Sequence, residues 1–392
     1  MRFGKFATGL LQLLLAASLA QAQGGSAIIT LVMPPPGGEG FSMLQSGGMF
    51  ANGATSTYYN PALLADLERN TGSQLHYTES NQKILPVLGI PDLFQEYRGV
   101  AAVFPDRKGG TDLGVGFFRN HVSFGKNQQT DQEGRVLAEF DSYETIYGAG
   151  IGVRLGLPVS LGGAVKYIDS HLAKALTSYG GTMDGVVRSW AFDLGALANP
   201  RLTPKVSLGL PYFELTPSAA VTLKNLGPDI FYYEAHQSDP IPTSLEYGVG
   251  LSGHLMDLAD IELASSADRE VHHRSGWSAE PTYTSGLSLG FLGLRYSVGW
   301  LQDDPGKRYE KHIGRAFDLN MLQVYRAWRR LTTGDFRSPP EVLEAGFPFG
   351  WTRVMGFPFR ANPRLVVGVR EIDSRRDGIR DGQEAFFVTL SL

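Results

Sequence analysis

A period of two runs through most of this chain. In Pro158–Ile168, Val159, Leu161, Val165 and Tyr167 fall on one face, and Ser160, Gly162, Ala164 and Lys166 on the other. In Thr243–Ser252, Leu245, Tyr247, Val249 and Leu251 alternate with Ser244, Glu246, Gly248 and Gly250. In Leu294–Trp300, Leu294, Tyr296, Val298 and Trp300 alternate with Arg295, Ser297 and Gly299. Such stretches are strands with one apolar face and one polar or tiny face. Similar ones recur near 73–80, 97–104, 112–122, 143–155, 188–198, 215–224, 257–267, 283–291, 312–320, 321–329, 363–371 and 384–392. Many are about 9–11 residues long, the length of a tilted strand that crosses a bilayer.

A soluble β-protein alternates too, so the environment has to be argued separately. Past the N-terminal leader no apolar run approaches the roughly 20 residues of a membrane helix. That leaves a protein soluble outside the inner membrane or a closed barrel. The polar face carries charge at Lys166, Asp193, Glu246 and Arg295, which fits a wet or plugged lumen behind a lipid-facing wall. Tyr167, Tyr296 and Trp300 are expected at strand ends, in an interfacial girdle. The closing "EAFFVTLSL" puts Phe386, Val388, Leu390 and Leu392 on one face. Such a strand invites aggregation in water and is harmless when it closes a barrel against lipid. The expected fold class is all-β: a transmembrane antiparallel β-barrel. Segments 123–142, 170–187, 227–242, 268–282, 302–311 and 333–347 read as long loops, and 198–204 as a short turn on the other side.

The leader supports export. Arg2 and Lys5 precede an apolar Leu10–Leu19, and Ala20-Gln21-Ala22 matches a cleavage site. Residues 1–22 thus read as a signal peptide, 23–70 as a periplasmic or plug segment, and 71–392 as the barrel, in the outer membrane of a Gram-negative-type bacterium. The chain has no cysteine, so no disulfide holds the fold. A net charge of −4 speaks against nucleic acid as a partner.

Residues 47–67, "GGMFANGATSTYYNPALLADL", are small up to two tyrosines and an Asn-Pro turn. A wide barrel has a lumen to fill, and small residues let backbone approach a wall closely. Pro61 suits the first position of a short helix. Tyr58, Tyr59, Asn60 and Pro61 are therefore the plug candidates, within a plug spanning 41–69; the plainer alternative is a periplasmic turn before the first strand.

Several motifs look chemical. Gly286-Leu287-Ser288-Leu289-Gly290 has the spacing of a nucleophile elbow, but that motif needs a strand-turn-helix setting and here lies inside a strand. "GAGIGVRLG" (148–156) lacks the dinucleotide spacing, and its glycines are read as relieving crowding on the inward face. His272 and His273 are read as loop residues, because a metal site needs several convergent ligands. "YRAWRR" (325–330) is read as an interfacial strand end near anionic head groups, and "DDPGKRYEK" (303–311) as a solvated loop. No catalytic residue, cofactor or metal is called for, and an outer-membrane lipase through Ser288 ranks last.

"ATSTYYNPALLA" (54–65), "LGGAVKYIDSHL" (161–172), "WAFDLGALANP" (190–200), "VTLKNLGP" (221–228) and "IPTSLEYGVG" (241–250) resemble, in order, blocks of the PorV/PorQ family and its FadL-like relatives. Asn52-Gly53-Ala54-Thr55 stands where that family carries acidic residues, and Leu63 where it commonly has glycine. The resemblance implies an outer-membrane barrel of about 14 strands, slightly fewer than the alternating stretches above. It also implies one of two roles. A PorV-type protein partners type IX translocon subunits and secreted cargo; a FadL-like one passes hydrophobic small molecules and should have an apolar pocket beside the plug and a gap in the wall.

Overall fold

The structure is a computed structural model. It describes residues 28–33, 35, 53–67, 74–84, 92–104, 112–130, 133, 135–155, 158–176, 182–200, 212–231, 238–272, 276–277, 281–303, 308–338, 351–354, 357–360, 363–376 and 379–391. The leader (1–22), residues 41–52, His273 and Leu392 lie outside that set.

Fourteen antiparallel strands form the wall: β1 (Leu75–Lys83), β2 (Leu93–Phe104), β3 (Asp112–Thr130), β4 (Val136–Arg154), β5 (Val159–Leu176), β6 (Thr182–Ala198), β7 (Phe213–Leu226), β8 (Ser244–Leu255), β9 (Ala259–His272), β10 (Thr282–Phe291), β11 (Leu294–Asp303), β12 (Arg308–Asn320), β13 (Arg364–Arg376) and β14 (Ile379–Ser391). Each pairs with the next, and β14 pairs back onto β1 from His76↔Ser391 to Gln82↔Ala385, so the sheet is a closed cylinder. Closure removes the edge that the apolar last strand would otherwise expose.

Burial is inverted relative to a water-soluble protein. On β1, His76, Thr78, Ser80 and Gln82 point inward and are buried. Outward, Phe117, Ile151, Phe192, Val249, Leu289, Leu294, Phe386 and Leu390 are each exposed by 45% or more. Soluble domains hide such residues, whereas a bilayer covers them. The apolar band ends at a belt of outward ion pairs: Arg98 with Glu79 and Glu96 (both 3.0 Å), Arg119 with Glu96 (3.0 Å), Arg188 with Asp169 (3.4 Å) and Arg315 with Glu371 (2.8 Å). Just inside it, Tyr147, Tyr167 and Trp190 form an aromatic row in direct register across β4–β6. Tyr167 thus sits in the middle of β5 rather than at its end, because β5 continues well beyond the membrane.

That overshoot corrects the expected loops. β3 and β4 each have 19 residues, about 65 Å at the usual rise, far more than a bilayer core needs. Much of 123–142 and 170–187 is strand; in the first of these the exposed side chains at Lys126, Gln128, Glu139 and Asp141 are polar, so no apolar face marks it. The seven hairpin ends on this side include β1–β2, β3–β4 and β5–β6. The start of β1 and the end of β14 lie at the opposite, periplasmic end with the tight turns. In the β10–β11 turn Leu292 (φ 47°) and Gly293 (φ 85°) both have positive φ, the type I′ geometry of a two-residue hairpin.

The surplus alternating stretch, 321–329, is not a strand. It belongs to a 13-residue helix, Met321–Thr333, in the periplasmic connection between β12 and β13. Asn320 caps it, its side chain accepting from Gln323 N (3.1 Å), and Gly334 ends it at φ 68°. Tyr325–Arg330 is accordingly helical. Earlier in the chain come a one-turn helix α1 (Ile29–Val32), a 3₁₀ turn (Gly53–Thr55), α2 (Ser56–Tyr59) and a second 3₁₀ turn (Pro61–Asp66); the 321–333 helix is α3.

Candidate functional site

The short helical run 53–67 packs against the inward faces of β1–β6. Its local fold follows from Asn60-Pro61. Asn60 Oδ1 accepts from Ala62 N (3.0 Å), capping the 3₁₀ turn that Pro61 opens, and Asn60 Nδ2 donates to Ala196 O on β6 (3.4 Å). Contact with the wall is close because the wall is glycine where the run touches it. A Cβ on Gly152 would stand 2.6 Å from Pro61 O, and one on Gly150 2.8 Å from Thr57 Cγ2. Gly114, Gly116, Gly162 and Gly195 leave no more room against Leu64, Thr57, Ala62 and Asn60. The "GAGIG" glycines therefore serve close approach, and no nucleotide fold surrounds them.

Polar anchors fix the run at both levels. Near the periplasmic end Asp66, fully buried, forms an ion pair with Arg154 and accepts from Ser160 Oγ (2.6 Å). Higher up, Tyr97 Oη donates to Ala54 O (2.9 Å), and Tyr58 Oη to Leu31 O (3.1 Å) and Met33 O (3.0 Å). The latter bonds join the run to α1, where Thr30 N and Oγ1 both donate to Glu144 Oε2 (2.8 Å). Ile28, Leu31, Tyr58, Tyr59, Phe118, Ile146, Ile168, Val187, Ala191, Ile230 and Ile241 form one apolar cluster inside the barrel.

Beside that cluster lies a cavity of about 160 Å³ whose lining includes Tyr58, Tyr59, Lys166, Lys224, Asn225 and Asp268. The two tyrosine rings meet edge to face at 5.5 Å. Lys166 Nζ lies 5.2 Å from the Tyr58 ring centre, and Lys224 Nζ 5.9 Å from that of Tyr59. Both lysines are paired: Lys166 with Asp193 (2.7 Å) and Lys224 with Glu246 (2.5 Å). Pairing is what makes such buried charges tolerable. Among the described residues Tyr59 Oη and Asp268 Oδ1 have no hydrogen-bond partner. Burial raises the Tyr59 phenol pKa, against the charge of Arg370, so the hydroxyl is a neutral donor.

The wall changes character next to this cavity. β6 and β7 pair from Ala198↔Ala219 to Leu194↔Leu223, then slip to Phe192↔Leu226. Lys224 and Asn225 together oppose Asp193, which is a β-bulge. It brings Asn225 into the lumen beside Lys224, which alternation already points there. Asn225 sits at φ 58°, and its N–H leaves the ladder to donate to Asp193 Oδ1 (2.8 Å). Lys166 Nζ donates to Asn225 Oδ1 (2.7 Å), Asn225 Nδ2 to Pro242 O (3.0 Å), and Thr243 Oγ1 to Asn225 O (2.8 Å). Beyond Phe192 toward the outside, Thr182–Ala191 of β6 has no β7 partner among the described residues.

Lys166, Tyr58 and Tyr59 thus line one cavity, with Asp193 and Glu246 paired to its two lysines, while Asn60 and Pro61 lie lower, against β5 and β6. Arg295 is elsewhere: near the periplasmic end it contacts Asp260 (2.9 Å), Glu262 (3.0 Å) and, through Nη1, Ser288 Oγ (3.2 Å). Ser288 is a buried strand residue with no helix after it, so the elbow spacing is coincidental. No cluster of three or more potential metal ligands occurs among the described residues. Sequence reasoning missed Lys224, Asn225, Asp268 and the Asp66–Arg154 pair. The signal for the bulge was present: "TLKN" places a charge and an amide side by side where alternation allows one inward residue.

The fold and lumen define a closed membrane β-barrel of outer-membrane type with an internal helical segment. No family model matches the chain, and no curated protein does. Among solved structures it is similar to the CymD monoaromatic hydrocarbon channel (10% identity, 87% of this chain and 93% of that one, TM-score 0.43). It is also similar to the P. putida toluene transporter TodX (10%, 90% and 98%, 0.42) and to Pseudomonas aeruginosa OccK1 (11%, 81% and 96%, 0.30). These are distant likenesses; the fold assignment rests on the closed strand register.

Proposed function

We propose that this barrel passes small, partly polar hydrophobic molecules across the outer membrane, through the cavity above the helical segment and out by the β6–β7 bulge. On this view residues 1–22 are the export signal and 23–70 supply the plug. The observation that carries it is the bulge at Asn225, where a side-chain network replaces the wall's ladder directly beside a cavity lined by two tyrosines. A cavity of 160 Å³ compares with the roughly 150 Å³ that admits benzene. Tyr59 Oη offers a donor and Asp268 Oδ1 an acceptor, the pair that a single-ring alcohol or phenol satisfies.

The type IX partner role implied by the sequence blocks is the second reading, and nothing in the described loops speaks for a protein cargo. Two strains distinguish them. Deleting Asn225 restores a continuous register and is expected to lower accumulation of radiolabelled phenol by about tenfold or more, the loss of one good polar interaction in the passage, with heat-modifiable folding retained. Unchanged phenol accumulation in the folded variant overturns the transport proposal. Failure of type IX cargo to leave a strain lacking the gene would favour the other role.

A further inference from the structure

A helix at a protein surface ordinarily buries its apolar stripe and shows its charges to water. α3 does the reverse. Its rim-facing side carries Gln323, Arg326 and Arg330, and all three converge on Asp257 in the β8–β9 turn. Gln323 Nε2 donates to Asp257 O (3.0 Å), Arg330 Nε to Asp257 Oδ2 (2.9 Å), and Arg326 Nη1 lies 3.5 Å from Oδ1. Arg330, wholly buried, also lies over the Tyr212 ring at 5.5 Å. The opposite side carries Met321, Val324, Tyr325, Trp328 and Leu331, spaced as one helical stripe. Val324, Trp328 and Leu331 are 48%, 57% and 65% exposed.

The stripe does not stand alone. The neighbouring tight turns are apolar too: Phe291, Leu292 and Leu294 of β10–β11 are 59%, 57% and 65% exposed, and Phe317 at the end of β12 is 46% exposed. Backbone bonds tie these turns side by side, Leu292 N to Leu258 O (2.9 Å) and Asp318 N to Gly293 O (2.7 Å). Turns that hang in water are usually polar. Here apolar side chains continue from the lipid-facing band into the turns, α3 begins directly after β12 at Met321, and the Tyr325–Trp328 pair (5.9 Å between rings) is of the type concentrated at membrane interfaces.

We infer that α3 is an interfacial helix: its Val324–Trp328–Leu331 stripe is embedded among the acyl chains of the periplasmic leaflet, and the Asp257 cluster holds it against the rim. The occupant is phospholipid, not a protein, because the stripe continues a surface that lipid already covers.

The chain contains no cysteine, so single cysteines report cleanly. The full-length protein is reconstituted into phosphatidylethanolamine–phosphatidylglycerol vesicles as L331C, V324C and, as a control on the other side of the same helix, T333C. A membrane-impermeant maleimide is expected to label the two stripe positions at least about tenfold more slowly than Thr333→Cys, as burial in the interface demands. A spin label there should be relaxed by oxygen rather than by a water-soluble nickel chelate. Equal labelling at all three positions overturns the inference. So does protection that vanishes on dilution of protein in lipid, which would mean a second copy, or protection that needs an added periplasmic fraction, which would mean a protein partner. A variant that fails to fold is recognised by its migration before heating, and the remaining stripe position then carries the test.

Discussion

Asp66 and Arg154 show how much a single residue pair can decide in this lumen. Asp66 is fully buried and its partner nearly so. Removing one member of such a pair strands the other charge, at a cost of about 3–5 kcal/mol. Arg154→Ala is therefore expected to release the 53–67 run from its seat, whereas the double change Arg154→Met with Asp66→Leu should recover most of the loss. Single-channel recordings check this: the single variant should show long open events absent from the wild type and from the double variant. The steric side is independent. Gly116→Val would drive a side chain into Thr57, and overpacking of this kind costs about 1–3 kcal/mol. The same recordings should show openings there too, with the wall itself intact. At this scale the sequence was partly readable. Tyr58, Tyr59, Lys166, Asp193 and Glu246 stand out by type and position; Tyr58 packs on Tyr59 and under Lys166, which pairs with Asp193, while Glu246 pairs with Lys224. Asn225 does not stand out, because a bulge changes facing by one residue and propensity does not record that; Lys224 follows plain alternation and was passed over beside it.

Among the elements, α3 is the instructive error. Read as a strand, Tyr325, Ala327 and Arg329 face one way and Arg326, Trp328 and Arg330 the other, so neither face is apolar. Read as a helix, the apolar residues collect on one stripe, and Asn320 and Gly334 stand at the two ends as cap and stop. The helical period was legible; the expectation of continuous strands hid it. The barrel strands themselves were legible only as far as lipid reaches, since the pairing of Lys126–Gln129 with Ala138–Asp141 lies in water and has no facing preference to betray it. The cap makes a local prediction. Asn320→Ala should cost α3 about 1 kcal/mol, speeding hydrogen exchange of the first-turn amides of α3 several-fold. Exchange on β12 and β13 should be unchanged; a general acceleration across the barrel would mean that α3 is part of the closure rather than an appendage to it.

For the molecule as a whole, the inverted burial is the organising fact, and it fixes where a charge can go. Val367 faces outward on β13, between Phe317 of β12 and Val388 of β14, with Leu365 and Val369 below and above it. That is the middle of the band, and an arginine there should cost about 2–4 kcal/mol. Two outward positions further along the same strand, Glu371 already lies in the ion-pair belt with Arg315. Glu371→Arg should therefore cost only about 0–1 kcal/mol of depth-dependent penalty, plus the small loss of an exposed pair. Denaturant-dependent folding into large vesicles measures both. The contrast between two arginines two pleat repeats apart is what matters. If both substitutions cost the same, the belt is not the edge of the hydrocarbon, and the depth assigned to every outward residue, including the immersion of α3 at the opposite rim, would have to shift with it.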